Sequence, residues 1–152
     1  MLRVSKAFTL VELLVALVVV GILATLAGPA FTGIFERTRA DADSGDLVRA
    51  LNMARLEAIN RGTSITLQPV SGGGWDGALE VLVGANKIRS LPGMSAGATV
   101  AASGDPASIV FNNLGALETP AGGTTFSYTR GSSAKSVSVC TTGRIHTGAN
   151  CQ

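Results

Sequence analysis

Few residues in this 152-residue sequence are of a type and spacing that could do chemistry, and the first is Glu12. It is the only charged side chain in the apolar run of residues 8–35. A carboxylate at the centre of a bilayer costs about 3 kcal/mol on insertion scales, so Glu12 is either paired or shallow. Cys140 and Cys151 come next, close together near the C-terminus. Their spacing matches no common metal signature, and no second Cys/His pair accompanies them. Behind a membrane-targeting start they read as a disulfide closing a short loop, a link worth about 3 kcal/mol in the chain-entropy model. Such a bond requires an oxidising compartment; two free thiols are the alternative. The single histidine, His146, has no carboxylate near it in sequence and reads as a surface residue rather than a base. Gly72-Gly73-Gly74 does not open a helix, so it lacks the geometry of a phosphate-binding loop and reads as a hairpin turn. Trp75 beside it reads as a lid on the core, with an exposed contact as the alternative. No constellation of nucleophile, base and orienting group is present, so the chain is read as non-enzymatic, with no cofactor and no metal.

The elements that must position these residues change character near residue 35. The first 35 residues hold the apolar excess behind the 46% hydrophobic content and mean hydropathy of +0.38, while the 19 glycines lie mostly beyond Gly62. A helix over residues 8–35 rises about 1.5 Å per residue and is long enough to cross a bilayer of about 30 Å. The basic heptapeptide MLRVSKA precedes it. A secretory signal peptide would carry a shorter apolar region followed by a small-residue cleavage site, which is not seen here. A plain anchor fits the length and the basic flank, which stays cytoplasmic, but leaves Glu12 unexplained. A third reading places cleavage ahead of the apolar run, between Ala7 and Phe8. Gly28-Pro29 interrupts the run: proline removes a backbone hydrogen bond and crowds the preceding turn, so a helix break, as a bend or local unwinding, is expected near residues 24–28.

From residue 36 to 61 the pattern becomes an amphipathic helix, with Leu47, Leu51, Ala54 and Ala58 at three- and four-residue spacing. Charges of alternating sign, among them Asp41, Asp43, Asp46, Arg49, Arg55 and Glu57, read as a solvated, salt-bridged face. Gly62 supplies a C-cap. Beyond it the period drops to two. Residues 64–70 and 78–83 flank a turn and predict a hairpin. Shorter strands are expected at 87–91, 98–101, 108–111, 124–130 and 136–140. The fold class is α+β: a long N-terminal helix, transmembrane or filament-core at first, whose C-terminal half packs on an antiparallel β-sheet domain. Formal net charge is +2, and Arg3 and Lys6 account for it. The rest of the chain is neutral, so bulk electrostatics give no support to nucleic-acid binding.

KAFTLVELL behind a short basic leader resembles the class III signal sequence of type IV pilins and type II secretion pseudopilins. The resemblance implies a prepilin peptidase that cuts between Ala7 and Phe8, N-methylation of Phe8, and a Glu12 that pairs with a neighbouring subunit's terminal amine. Ala7 stands where that family usually has Gly, which predicts slower processing. The runs LVRALNMARLEAINRG, SIVFNNLGAL and SVSVCTTGRIHTG, with the Trp-Asp hairpin between the first two, resemble the GspH/FimT (FimU-like) group of minor pilins. A strand ending Phe-Asn-x-x-Gly is matched by Phe111-Asn112-Asn113-Leu114-Gly115. A closing Gly-Arg-x-Arg is matched by Gly143-Arg144-Ile145-His146, with His146 in place of the last Arg.

The resemblance implies the pilin fold, in the order cleaved leader (1–7), hydrophobic assembly helix (8–35), amphipathic helix half (36–62) and β-rich globular domain (63–152). It implies a minor type IV pilin that primes pilus assembly, sits in or near the filament tip and links other minor pilins to the major pilin. The prepilin peptidase and an inner-membrane assembly platform are the further partners. The subunit is expected to cross the inner membrane once, with its C-terminal domain periplasmic, before entering the pilus. Two alternatives share the scaffold. One is an H-type minor pseudopilin of a type II secretion system. The other is a DNA-binding FimT-type minor pilin for natural transformation, with Arg144, His146, Lys135 and Arg130 as candidate DNA contacts. Phosphate binding accumulates over several Lys/Arg contacts, so four candidates at best, one of them a histidine, in a neutral chain make a weak DNA site.

Overall fold

A single helix, α1, spans Leu10–Arg61 in a computed structural model that describes residues 8–71, 73–148 and 151, with the backbone alone for 26–31. The leader, and with it Ala7, lies outside the described residues, as does Gly72 of the expected hairpin turn. The chain divides into two units, Met1–Phe35 and Glu36–Gln152. In the first, the exposed large apolar side chains from Phe8 to Leu23 are all at least 49% exposed. A helix that is apolar all round belongs inside something larger than itself. Among the described residues, no helix is long and apolar enough to cross a membrane. The crossing expected over residues 8–35 runs through 26–31, whose side chains lie outside the described residues.

Of the two forms expected for the break at Gly28-Pro29, local unwinding is not seen, for α1 is continuous as helix through both residues. A proline removes one rung of the ladder, the one to the carbonyl four residues back. Thr25 stands at that position and turns its hydroxyl to the Ile22 carbonyl at 2.7 Å.

In the second unit α1 ends at Gly62, whose φ of 63° lets the chain turn back. The Thr63 N–H reaches the Ala58 carbonyl and the Gly62 N–H the Ile59 carbonyl, both at 3.3 Å. This is a Schellman cap, which satisfies two carbonyls the helix leaves open. Among the described residues nine strands follow: β1 (Ile65–Pro69), β2 (Leu79–Val83), β3 (Asn86–Leu91), β4 (Thr99–Ala102), β5 (Ile109–Phe111), β6 (Leu117–Thr119), β7 (Thr124–Arg130), β8 (Ser133–Val139) and β9 (Ile145–Thr147). They form two antiparallel sheets, ordered β3-β2-β1-β5-β6 and β4-β7-β8-β9. The expected hairpin is β1–β2, with Leu67 opposite Val81. β6 and β9, of three residues each, are additions to the expected set. β8 starts three residues earlier than expected, because the turn at Gly131 pairs Ser133 directly with Arg130.

The apolar stripe of α1 closes the core. Leu47, Leu51, Ala54 and Ala58 are at most 1% exposed, against Ile65, Leu67, Val81, Ile109 and Phe111 of the first sheet. Phe126, Val137 and Val139 of the second sheet join the same cluster. Trp75 links the sheets, its ring edge-on to Phe126 with centroids 4.8 Å apart and its Nε1–H donating to the Pro106 carbonyl at 3.1 Å. Two charges assigned to the solvated face of α1 belong elsewhere. Asp43 is buried beneath Tyr128 and Ser95, and Arg55 is half-buried against the Gly115 carbonyl. Each sits on the side of α1 where a strand or loop arrives carrying a partner for it.

Candidate assembly and interaction sites

At the N-terminus, Thr9 precedes the first helical residue and Glu12 lies three residues on. The Thr9 N–H and hydroxyl both donate to Glu12 Oε2, and the Glu12 N–H donates to Thr9 Oγ1, each at 3.2 Å. The pair is a capping box: each residue's N–H, without a helical partner, donates to the other's side-chain oxygen, and the carboxylate sits at the positive end of the helix dipole. The carboxylate thus has a partner within its own chain before any neighbour arrives. The Thr-x-x-Glu spacing was legible in the sequence and marks the cap directly.

At the other end of the chain, three segments meet on α1. Asn112 accepts at Oδ1 from the Leu114 and Ala116 N–H groups, both at 3.0 Å, which shapes the β5–β6 turn. The turn's Gly115 carbonyl accepts from Arg55 Nε at 2.9 Å. Gly143, in the β8–β9 turn, lies so close that a Cβ on it would come within 1.8 Å of the Gly115 oxygen. The Leu117 N–H to Thr141 carbonyl bond, 3.0 Å, joins the two turns. Behind them Cys140 and Cys151 form a disulfide with Cα atoms 5.5 Å apart. Arg55, Gly115 and Gly143 therefore make a clasp between helix and both sheets.

A buried network pins the opposite end of the second sheet. Tyr128 donates to Asp43 Oδ2 at 2.7 Å, and Arg130 Nη1 donates to Ser95 Oγ at 3.0 Å, where Ser95 also bonds Asp43. Burial first, and the Asp43 carboxylate second, push the Tyr128 hydroxyl above its ordinary pKa of 10.0.

Residues 43–143 match the family model described as type II transport protein GspH, and residues 2–28 match the prokaryotic N-terminal methylation motif. The chain belongs to the GspH family. Two crystal structures of the type IV minor pilin FimU of Pseudomonas aeruginosa, in different crystal forms, share its fold, with TM-scores of 0.67 and 0.62. They are 22% and 21% identical in sequence, and the superposition covers 76% and 72% of this chain and 92% of the FimU chain in each. No curated protein matches the sequence. Pilins and pseudopilins of this kind are structural subunits rather than enzymes.

In this GspH-family subunit the four candidate DNA contacts do not converge. Lys135 is paired with Asp41 at 2.6 Å. Arg130 is held by Ser95 and the Ala96 carbonyl. Arg144 is exposed, with no side-chain partner among the described residues. The β8 ladder places Arg130 opposite Ser133 and Ile145 opposite Val139. Those ends of the strand are about 20 Å apart at 3.4 Å per residue. His146, half-buried on β9, sets Nδ1 3.3 Å from the Thr147 carbonyl and leaves Nε2 buried without a partner.

Proposed function

We propose that this chain is a minor type IV pilin that primes pilus assembly, occupies the filament tip or its vicinity, and links other minor pilins to the major pilin. The observation that carries the reading is an uncovered apolar helix, capped by a carboxylate, on a subunit with the fold of FimU. The subunit is stored with that helix crossing the inner membrane once and its β-unit in the periplasm. A prepilin peptidase removes residues 1–7 at the Ala7–Phe8 bond and the new Phe8 amine is methylated. At the assembly platform the helix then leaves lipid for a bundle of like helices. Lipid tails are as apolar as the side chains of such a bundle, so the helix keeps an apolar surrounding in both; Glu12, turning to a neighbour's terminal amine, supplies register.

Two substitutions separate capping from charge. Glu12→Gln keeps the capping box, which accepts Glu or Gln, but removes the charge. Thr9→Ala removes the cap and keeps the charge. Incorporation into sheared pili should fall sharply for Glu12→Gln and little for Thr9→Ala, and normal incorporation of Glu12→Gln refutes the charge-pairing account. Deletion of the gene should abolish or strongly reduce surface pili; wild-type piliation sinks the priming role. The match to type II transport protein GspH favours one other reading, an H-type pseudopilin. It is identified if the deletion stops protein secretion and leaves pili intact.

A further inference from the structure

We propose that the cavity between α1, the β2–β3 pair and the loop after β3 receives a large apolar side chain and the carboxylate next to it, presented by a different subunit of the filament. The cavity measures about 310 Å3, at the lower end of the roughly 300–1,000 Å3 of ligand sites. Its apolar wall comes from Leu47, Ala50 and Met53 of α1, Leu79 and Leu91 of the two strands, and Met94 of the loop. The two methionines let the wall adapt to the side chain it receives, because unbranched thioethers repack readily. The hollow is built before a partner arrives. The Met94 N–H donates to the Asp76 carbonyl at 2.9 Å, and a Cβ on Gly93 would stand 2.9 Å from the Gly77 carbonyl carbon. One residue on, the Ser95 N–H donates to Asp43 Oδ2 of α1 at 3.3 Å. The loop is thereby tied to the β1–β2 turn and to the helix, so an entering group does not have to order it.

Arg89 gives the site its charge preference. It lines the cavity, is exposed, and donates from Nη1 to Met53 Sδ at 2.8 Å. A thioether is a weak acceptor. The neighbouring carboxylates are engaged elsewhere: Asp46 with Arg49, Glu57 with Arg61, and Asp43 with Tyr128 and Ser95. A guanidinium without an ion-pair partner, beside an apolar hollow, selects a carboxylate carried next to an apolar group and can hold it with two parallel hydrogen bonds. A second copy of this chain does not offer that pair. Among the described residues from 34 on, Phe35 and Leu56 are the exposed large apolar side chains with a carboxylate next in sequence. Glu36 accepts from Ser132, and Glu57 is paired with Arg61. The occupant is therefore a different chain. That it is a filament subunit rests on the function proposed above, whereas the chemistry of the cavity does not.

The test is photocrosslinking of the full chain in piliated cells, with p-benzoylphenylalanine in place of Pro92 at the exposed lip. Substituted chain recovered in sheared pili should carry one dominant crosslink, to a different pilin, at a segment where a large apolar residue adjoins Asp or Glu. Arg89→Glu, a change to an exposed side chain, should lower that crosslink at least about fivefold, since like charges brought together at an interface repel. Replacing the captured carboxylate with Lys in the partner should then restore it, and Arg144→Glu should leave it at the wild-type level. No crosslink in pili that contain the chain, a crosslink to a second copy, an undiminished yield in Arg89→Glu, no restoration by Lys, or an equal loss in Arg144→Glu overturns the proposal and leaves the pilin reading standing. The same crosslink on a pseudopilin, where deletion of the gene stops secretion and spares pili, upholds the role of the cavity and overturns the pilus reading instead.

Discussion

Replacing Gly143 with alanine asks whether the clasp holds the two sheets on α1. Gly143 has φ 80°, and its new Cβ would stand 1.8 Å from the Gly115 oxygen. The left-handed backbone alone costs a side chain about 1–2 kcal/mol. The collision is larger, because a backbone oxygen must retreat by more than an ångström. That retreat breaks the Arg55 bond to Gly115, worth about 1.5–3 kcal/mol as a bond to a charged group, and strains the Leu117–Thr141 bond. After partial relaxation the loss should be about 3–5 kcal/mol, or about 10–20 °C in Tm for a unit of this size. Gly62→Ala is the control: its φ is 63°, but nothing lies within 4 Å of the added Cβ, so it should lose only the backbone cost of about 1–2 kcal/mol. Urea titration of the detergent-solubilised protein, followed through Trp75, measures both. Equal losses in the two variants refute the clasp.

Other predictions follow from the same contacts. Reduction of the disulfide should lower stability by about 3 kcal/mol, as for a short closed loop, and the urea midpoint with and without reductant measures it. Tyr128 is the only tyrosine, so its ionisation can be read directly by absorbance. Its folded pKa is raised, so its contribution is fully present below pH 10.0 and is lost as pH climbs toward the folded value, where the unfolded chain ionises first. The alkaline fall in stability should be shallower in Tyr128→Phe, and an unchanged slope refutes the assignment. Arg144→Ala should leave stability within about 0.5 kcal/mol of wild type, as befits an exposed side chain without a partner. In gel shifts at low salt, the wild-type protein should retard DNA little, since Arg130 and Lys135 are tied to their own partners and lie apart from Arg144; strong retardation that Arg144→Ala removes would contradict that.

Much of this protein was written locally. The basic leader, the apolar run and Glu12 are contiguous, so the methylation motif is legible residue by residue. The Leu47/Leu51/Ala54/Ala58 stripe and the β1–β2 hairpin are also local, because periodicity records which face of an element is buried. The Thr9–Glu12 box belongs with them, legible by spacing alone. What only the tertiary structure decided depends on residues far apart in sequence. Asp43 and Arg55 look like solvated helix charges until Tyr128 and Gly115 arrive, 85 and 60 residues later, to bond them. Lys135, Arg130 and Arg144 lie near one another in sequence, and the β8 ladder sets them apart. Gly115 and Gly143 look like ordinary turn glycines until two turns from different sheets pack closer than a Cβ allows. Local pattern sets which face of an element is apolar, whereas the partner of a polar group is set by which distant segment the sheets carry to it.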